Sequence, residues 1–237
     1  MLYLSIFLVA LLYSSVGQAG ASGYIAVFTL FNFAPESIKP TVLILNALVA
    51  IIGTYQFGKA GHFSWRLFLP FTVLAVPFAF LGGYITAPAN ILRILVGGIL
   101  ILSAIRLLLH RTDTAIITGP RLVVSLPVGA AIGFLSGITA TGGGIFLTPI
   151  LLFFRWARTK TAAAVSVVFI LVNSIAALGG YLMRKQPIPE NAASFAVVAI
   201  AGGAFGSYLG SRHLPETFTR ISVAGVLTFA GIKLLMG

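Results

Sequence analysis

Apolar segments separated by short polar or turn-forming stretches follow one another along the whole chain. Most are about 20 residues long, which is the length that an α-helix needs to cross a bilayer. None alternates between polar and apolar positions as a membrane strand would. The pattern therefore predicts an all-α, polytopic membrane protein. The ten segments cover residues 2–14, 23–34, 38–57, 64–86, 89–109, 121–139, 143–154, 160–183, 191–211 and 216–236.

Three of these segments are too short to span a membrane alone. They flank two stretches of small and polar residues, Ser14–Ser22 and Thr139–Gly144. The second stretch lies within the run GAAIGFLSGITATGGGIFLTP, where glycines interrupt an otherwise apolar helix. We therefore predict two hairpins of broken helix, with short second arms beginning at Gly23 and Gly143.

An internal repeat relates the two halves of the chain. At a spacing of 127 residues, Asn46 corresponds to Asn173 and Gly53 to Gly180. An ordered run of further matches, from Pro88 against Pro215 to Leu107 against Leu234, follows. The repeat predicts homologous membrane halves at residues 1–112 and 118–237, joined by a linker at 113–117.

Composition agrees with a lipid environment. The chain is 59% hydrophobic and only 8% charged, whereas a soluble domain carries roughly 25% charged residues. The net charge of +11 is scattered between the apolar runs, without a basic patch interleaved with aromatic residues, so nucleic acid is not an expected partner. The chain has no cysteine, which excludes disulfides and thiolate metal sites.

The distribution of basic residues predicts the topology. If each hairpin enters and returns, each half has five segments and the N-terminus lies outside. The inside then holds ten basic residues and the outside five, in accord with the positive-inside rule. If each hairpin were instead a single kinked span, the basic residues would be split seven against eight between the two sides. Five segments per half make the halves inverted repeats, each a hairpin plus three transmembrane helices, as in secondary transporters. The inside set is Lys59, Arg66, Arg106, Arg111, Arg121, Arg155, Arg158, Lys160, Arg212 and Arg220, and the outside set is Lys39, Arg93, Arg184, Lys185 and Lys233.

Acidic residues and histidines offer no chemistry at membrane depth. All seven fall in loops or at segment ends: Glu36, Asp113, Glu190, Glu216, His62, His110 and His213. A carboxylate pair, a metal site or a Ser-His-Asp triad would need such residues within the spans. We therefore expect no enzyme activity, no catalytic residue, no metal and no cofactor.

The spans do contain neutral polar groups and helix N-termini. Free N–H groups and a partial positive charge at the start of a short helix suit an anion, and glycine lets its oxygens approach the backbone. We predict a site for a small oxyanion near the midplane, although the asparagines could instead tie helices together and the glycine break could be a structural kink. The candidate residues are Gln18, Ser22, Gly23, Asn46, Thr139, Thr141, Gly142, Gly143, Gly144, Ser166, Asn173 and Ser174. Glycines at four-residue spacing are expected to pack helices instead, namely Gly129, Gly133, Gly137, Gly202, Gly206 and Gly210.

Three runs of sequence resemble the TauE/SafE sulfite exporter family of anion permeases. They read GFLSGITATGGGIFLTP, WARTKTAAAVSVVFILVNSIAALGG and IKPTVLILNALVAIIGTYQFGKAGHFSWRLFLPF. The family's glycine motif maps onto Gly142, Gly143 and Gly144, and its mid-span amides onto Asn46 and Asn173. Ala140 and Thr141 depart from the usual motif, and the first-half counterpart at 20–23 is degenerate, so unequal contributions of the halves are expected.

The resemblance implies a permease of a bacterial-type cytoplasmic membrane that moves small sulfur-containing anions, such as sulfite, sulfonates or sulfoacetate, largely by export. Together with the predicted repeats it favours alternating access, with a small anionic substrate and the lipid bilayer as partners. A passive anion channel and a membrane scaffold subunit remain as alternatives. The exact substrate, the coupling ion and the oligomeric state, a homo-oligomer included, stay open.

Overall fold

Helices form all the regular structure in the described part of the chain. The computed structural model describes residues 1–85, 119–185 and 187–215, with isolated positions between 101 and 105 and between 217 and 232. The predicted segments 89–109 and 216–236 and the linker 113–117 therefore lie largely or wholly outside the described residues. The helices are α1 (Leu2–Ser15), α2 (Ala21–Leu30), α3 (Pro35–Lys59), α4 (Trp65–Tyr84), α5 (Leu122–Thr139), α6 (Gly144–Phe153), α7 (Thr159–Leu182) and α8 (Ala192–Tyr208), which continues as a π-helical turn, Leu209–His213.

Five of the described helices are long and apolar enough to cross a membrane. They are α3, α4, α5, α7 and α8 with its π-helical turn, whereas α1, α2 and α6 are shorter apolar helices of 10 to 14 residues. The predicted helical, multi-pass class is confirmed. The predicted start at Gly23 of the second arm of the first hairpin is wrong, because α2 begins at Ala21. The residue before it, Gly20, has a left-handed φ of 105°.

Helices α1 and α2 form the first hairpin, and the chain reverses direction between them. The Phe195 ring at the start of α8 lies 5.6 Å from Tyr3, near the start of α1, and 5.2 Å from Phe28, near the end of α2. Beside the reversal, the Tyr13 and Ser22 hydroxyls are 2.9 Å apart. The start of α1 and the end of α2 therefore lie at one end of the helix bundle, which we call the α1 end.

Helices α5 and α6 form the second hairpin, which enters from the opposite end of the bundle. In the first half of α5, Gly129 packs on the Phe71 carbonyl of α4. Trp156, just after α6, has its ring 5.9 Å from that of Phe71. The start of α5 and the end of α6 therefore share what we call the α5 end, where His62 also contacts the Ser211 carbonyl of the π-helical turn.

Glycines bring the first arm of each hairpin against a long helix. In α5, Gly129, Gly133 and Gly137 contact the backbone of α4 at successive turns, so α4 and α5 run parallel. In α8 and its π-helical turn, a similar row of glycines contacts the backbone of α1, and these helices also run parallel. The row is Gly202, Gly206 and Gly210 against Phe7, Leu11 and Ser15. The packing interpretation of all six glycines is confirmed.

The long helices α3 and α7 cross the centre of the bundle in opposite directions. Tyr181 near the end of α7 contacts the Glu36 carbonyl at the start of α3, while a Cβ on Gly53 would lie 2.6 Å from Val167. Counting along the two helices from these contacts places Asn46 and Asn173 at the same level. Both asparagines are fully buried in the core.

Candidate functional site

The tip of the second hairpin, residues 140–143, is the glycine break predicted from the sequence, and we call it break 2. Helix α5 ends at Thr139 and Ala140 adopts a left-handed φ of 58°. Gly143, with φ 82°, precedes the first residue of α6. The first N–H groups of a helix have no intrahelical acceptor and carry a partial positive charge, so α6 presents the positive end of its dipole at break 2.

The backbone of break 2 lies directly against α7, without room for side chains. A Cβ on Gly142 would lie 2.6 Å from the Ile170 Cγ2 atom and 2.9 Å from the Ser174 hydroxyl oxygen. A Cβ on Gly143 would lie 2.7 Å from the Phe169 ring and 3.1 Å from Ile132. Real Cβ atoms essentially never come within 3.0 Å of another atom, so the α7 side chains would have to shift if either glycine carried one.

Four polar atoms around break 2 have no hydrogen-bond partner within the described part of the chain. They are the Oδ1 atoms of Asn46 and Asn173 and the Oγ atoms of Ser136 and Ser174. All four residues are 0% exposed. Because buried polar groups are nearly always hydrogen-bonded, a cluster of four unpaired ones indicates that a polar ligand or water completes the site.

Contacts with break 2 locate these four atoms. The Asn46 Nδ2 atom donates to the Ala140 carbonyl at 3.1 Å, which keeps its amide beside the break, and Ser174 lies against Gly142. Ser136 and Asn173 each follow by one helical turn a residue that contacts Gly143, namely Ile132 and Phe169. Since α5 and α7 run in the same direction from the α5 end, Ser136 and Asn173 lie at the same level. Ser136 is a neutral donor beside the second break in the sequence, but it was not among the predicted ligand residues.

We call the tip of the first hairpin, residues 16–20, break 1. It contacts the start of α6 through Gln18. The Gln18 Nε2 atom donates to the Gly144 carbonyl at 3.2 Å and to the Thr148 Oγ1 atom at 2.7 Å. Thr148 in turn donates to the Ser166 Oγ atom at 2.7 Å. The predicted residues Gln18, Gly144 and Ser166 are therefore brought together by Thr148, which the sequence did not single out.

Four other predicted residues, Thr139, Thr141, Ser22 and Gly23, make contacts within their own hairpins. Thr139 donates to the Leu135 carbonyl at 2.7 Å, and its hydroxyl is 2.9 Å from that of Thr141 at the half-buried edge of break 2. Ser22 is bonded to Tyr13, and Gly23 packs inside hairpin 1 against α1. A ligand role for these four residues stays a prediction. The remaining buried, unpaired side-chain atoms in the described ranges belong to Ser14, Tyr24 and Thr54.

Comparison with known proteins places the chain among membrane transporters. Residues 2–234 match the family model described as "Sulfite exporter TauE/SafE". A probable membrane transporter protein of Sinorhizobium fredii is 41% identical over 239 residues, covering 99% of this chain and 97% of the relative. Probable membrane transporter proteins of Methanocaldococcus jannaschii and Bacillus subtilis are 28% and 23% identical, over 97% and 99% of this chain and 92% and 99% of the relatives.

No solved structure matches the chain. The family match covers nearly the whole sequence, including both hairpins and break 2. The predicted resemblance is confirmed, and the helices described above agree with a multi-pass transporter. The chain belongs to the TauE/SafE sulfite exporter family of membrane transporters.

Proposed function

We propose that this transporter exports a small sulfur-containing anion, such as sulfite, a sulfonate or sulfoacetate, and holds it at break 2. The observation that carries the proposal is the set of four unpaired, fully buried polar atoms around the N-terminal end of α6. The Ser136 and Ser174 hydroxyls can donate to anion oxygens, as can the free N–H groups of α6. The glycines of break 2 let that backbone lie against α7, beside the Ser174 hydroxyl.

The charges near the site favour an anion over a cation. The described carboxylates, Glu36 and Glu190, lie at the α1 end rather than in the core. A cation at break 2 would face the positive end of the α6 dipole without a carboxylate from the described residues nearby. Dipole and hydroxyl donors also bind an anion without requiring a buried lysine or arginine.

We propose further that residues 1–112 and 118–237 are inverted repeats that rock against each other around the site. This proposal is supported by two parallel helix pairs, α1 with α8 and α5 with α4. In each pair, the first helix of one half packs on the fourth described helix of the other half. It is also supported by the entry of the two hairpins from opposite ends. Transporters built in this way bind substrate near the midplane and expose it to each side in turn.

We assign the α5 end to the cytoplasm and the N-terminus to the outside of a bacterial-type cytoplasmic membrane. The α5 end carries seven described basic residues and the α1 end three, in the sense of the positive-inside rule. A negative interior would then assist outward movement of an anion. The seven at the α5 end are Lys59, Arg66, Arg121, Arg155, Arg158, Lys160 and Arg212, and the three at the α1 end are Lys39, Arg184 and Lys185.

Labelling of single cysteines tests this assignment, because the chain has no cysteine of its own. One variant replaces Arg158 by cysteine and another replaces Lys185. Impermeant maleimide added outside should label only the variant at Lys185, and labelling of only the variant at Arg158 contradicts the assignment.

Flux in proteoliposomes tests the proposed function. The purified protein is offered sulfite, thiosulfate, sulfate, sulfoacetate and chloride in separate assays. We expect saturable flux of at least one sulfur-containing anion, because a carrier binds its substrate at a limited number of sites. We also expect little movement of chloride, because chloride has no oxygens for the hydroxyl and N–H donors to orient. Non-saturating flux with single-channel currents would identify a channel instead, and an absence of flux for every anion would contradict transport of this class.

A further inference from the structure

The orientation of two buried amides constrains what the anion must carry. We infer that the substrate is an oxyanion that brings its own hydrogen-bond donor: a hydroxyl group, an ammonium group or a retained proton. The inference rests on the proposed function, because it concerns the ligand of the same site. It narrows the class from small sulfur-containing anions in general to those with a donor beside the oxyanion.

The hydrogen bonds of Asn46 and Asn173 fix which amide atom remains free. Asn46 donates its Nδ2 to the Ala140 carbonyl at 3.1 Å, and Asn173 donates its Nδ2 to the Phe169 carbonyl at 2.9 Å. A carbonyl oxygen can only accept, so turning either amide over would set two acceptors against each other. The atom left without a partner is therefore the acceptor Oδ1 in both residues.

These two free acceptors cannot bind the oxygens of a fully deprotonated anion. Sulfonate and sulfite oxygens are also acceptors, and they would repel the Oδ1 atoms in a site shielded from water. A ligand without a donor would give neither Oδ1 atom a hydrogen bond, which is costly where the ligand displaces water. A ligand that supplies a donor removes that cost for at least one of them.

The positions of the donors and acceptors suggest how such a ligand lies. The N-terminal end of α6 and the Ser174 hydroxyl lie together at break 2, suited to the oxyanion. The two asparagines lie at the same level of α3 and α7, on the helices that flank this end. The donor of the ligand would therefore point toward the amides while the negative oxygens face the helix end. Hydroxyalkyl- and aminoalkylsulfonates and hydrogensulfite satisfy this description.

A matched pair of anions tests the inference on the wild-type protein. Radiosulfur-labelled 2-hydroxyethanesulfonate and ethanesulfonate differ by one hydroxyl group, and each is offered to the protein in vesicles of phosphatidylethanolamine and phosphatidylglycerol. We expect the hydroxylated anion to move at least about tenfold faster at limiting concentration, since sites built for a donor reject analogues that lack it. Equal flux of the pair overturns the inference and leaves the proposed function standing. No flux of either anion overturns the inference, and the anion panel then decides the proposed function separately.

Leucine substitutions assign the preference to the amide oxygens. In Asn46→Leu and Asn173→Leu the flux of 2-hydroxyethanesulfonate relative to that of ethanesulfonate should fall toward one. The thermal shifts that the two anions induce should become equal as well, which measures the preference independently of flux. Gln56→Leu makes the same kind of change on α3 outside the site and should keep the wild-type ratio. A wild-type ratio that survives in both asparagine variants overturns the assignment, provided that each variant elutes as a single folded species.

Discussion

Replacing Gly143 by valine is expected to abolish anion flux while the protein still inserts into the membrane. Gly143 has φ 82° and directly precedes α6, a conformation that a β-branched residue strongly disfavours. Its new side chain would also press on Phe169 and Ile132, at 2.7 and 3.1 Å from the Cβ atom. The tip must therefore move, and the N–H groups of α6 move with it. Flux in proteoliposomes, compared with protein-free vesicles, measures the loss.

Gly61→Val provides a matched control for this substitution. Gly61 has nearly the same backbone conformation, φ 76°, but lies exposed in the loop after α3, where a Cβ would have no neighbouring atom within 4 Å. It carries the same conformational strain without altering break 2, so flux should persist. Wild-type flux in purified Gly143→Val, or equal losses in the two variants, would contradict a specific role for break 2.

Replacing Gly133 by leucine is expected to destabilise the protein more than any substitution on its lipid-facing surface. A Cβ on Gly133 collides with the Ala75 carbonyl oxygen of α4, and backbone cannot move aside as a flexible side chain can. Separating α5 from α4 also disturbs the contacts on either side, at Gly129 and Gly137. We expect a loss of about 3 kcal/mol or more, at the upper end of overpacking costs. Thermal unfolding in detergent, followed by size-exclusion chromatography, measures it.

The control for helix packing is Gly58→Leu. Gly58 also lies within a helix, α3, but nothing is within 4 Å of the position that its Cβ would take. Because leucine is a better helix former than glycine, Gly58→Leu should leave stability unchanged or slightly higher. A Gly133→Leu protein that unfolds at the wild-type temperature would show that α4 and α5 are not held together by this close approach.

Hydrophobic length and glycine spacing were sufficient to predict much of this fold. The short segments and the six packing glycines follow from bilayer thickness and from the close approach that a missing side chain permits. The exact start of α2 was not predictable, because Gly20 and Gly23 both lie in the degenerate run at 20–23 that corresponds to the glycine motif of the second half. Only the packing of Gly23 against Val9 and Tyr13 separates its role from that of the capping Gly20.

The sequence pointed to the two buried asparagines but not to their hydrogen bonds. Asn46 and Asn173 stood out because amides are costly within a membrane and because the repeat pairs them. Their unlike partners, a carbonyl of break 2 and a carbonyl of the same helix, depend on tertiary packing. Thr148 was missed because a threonine in an apolar helix commonly bonds to its own backbone, whereas here it connects Gln18 to Ser166.

The central claim is that an anion binds at break 2, and anomalous diffraction from crystals soaked in selenite tests it most directly. Selenite has the shape and charge of sulfite, and its selenium can be located without ambiguity. We predict a peak beside Gly143, within reach of the start of α6 and of Ser174, and no such peak in Gly143→Val. A peak elsewhere on the protein, or no peak in crystals of protein that binds selenite in solution, would contradict it.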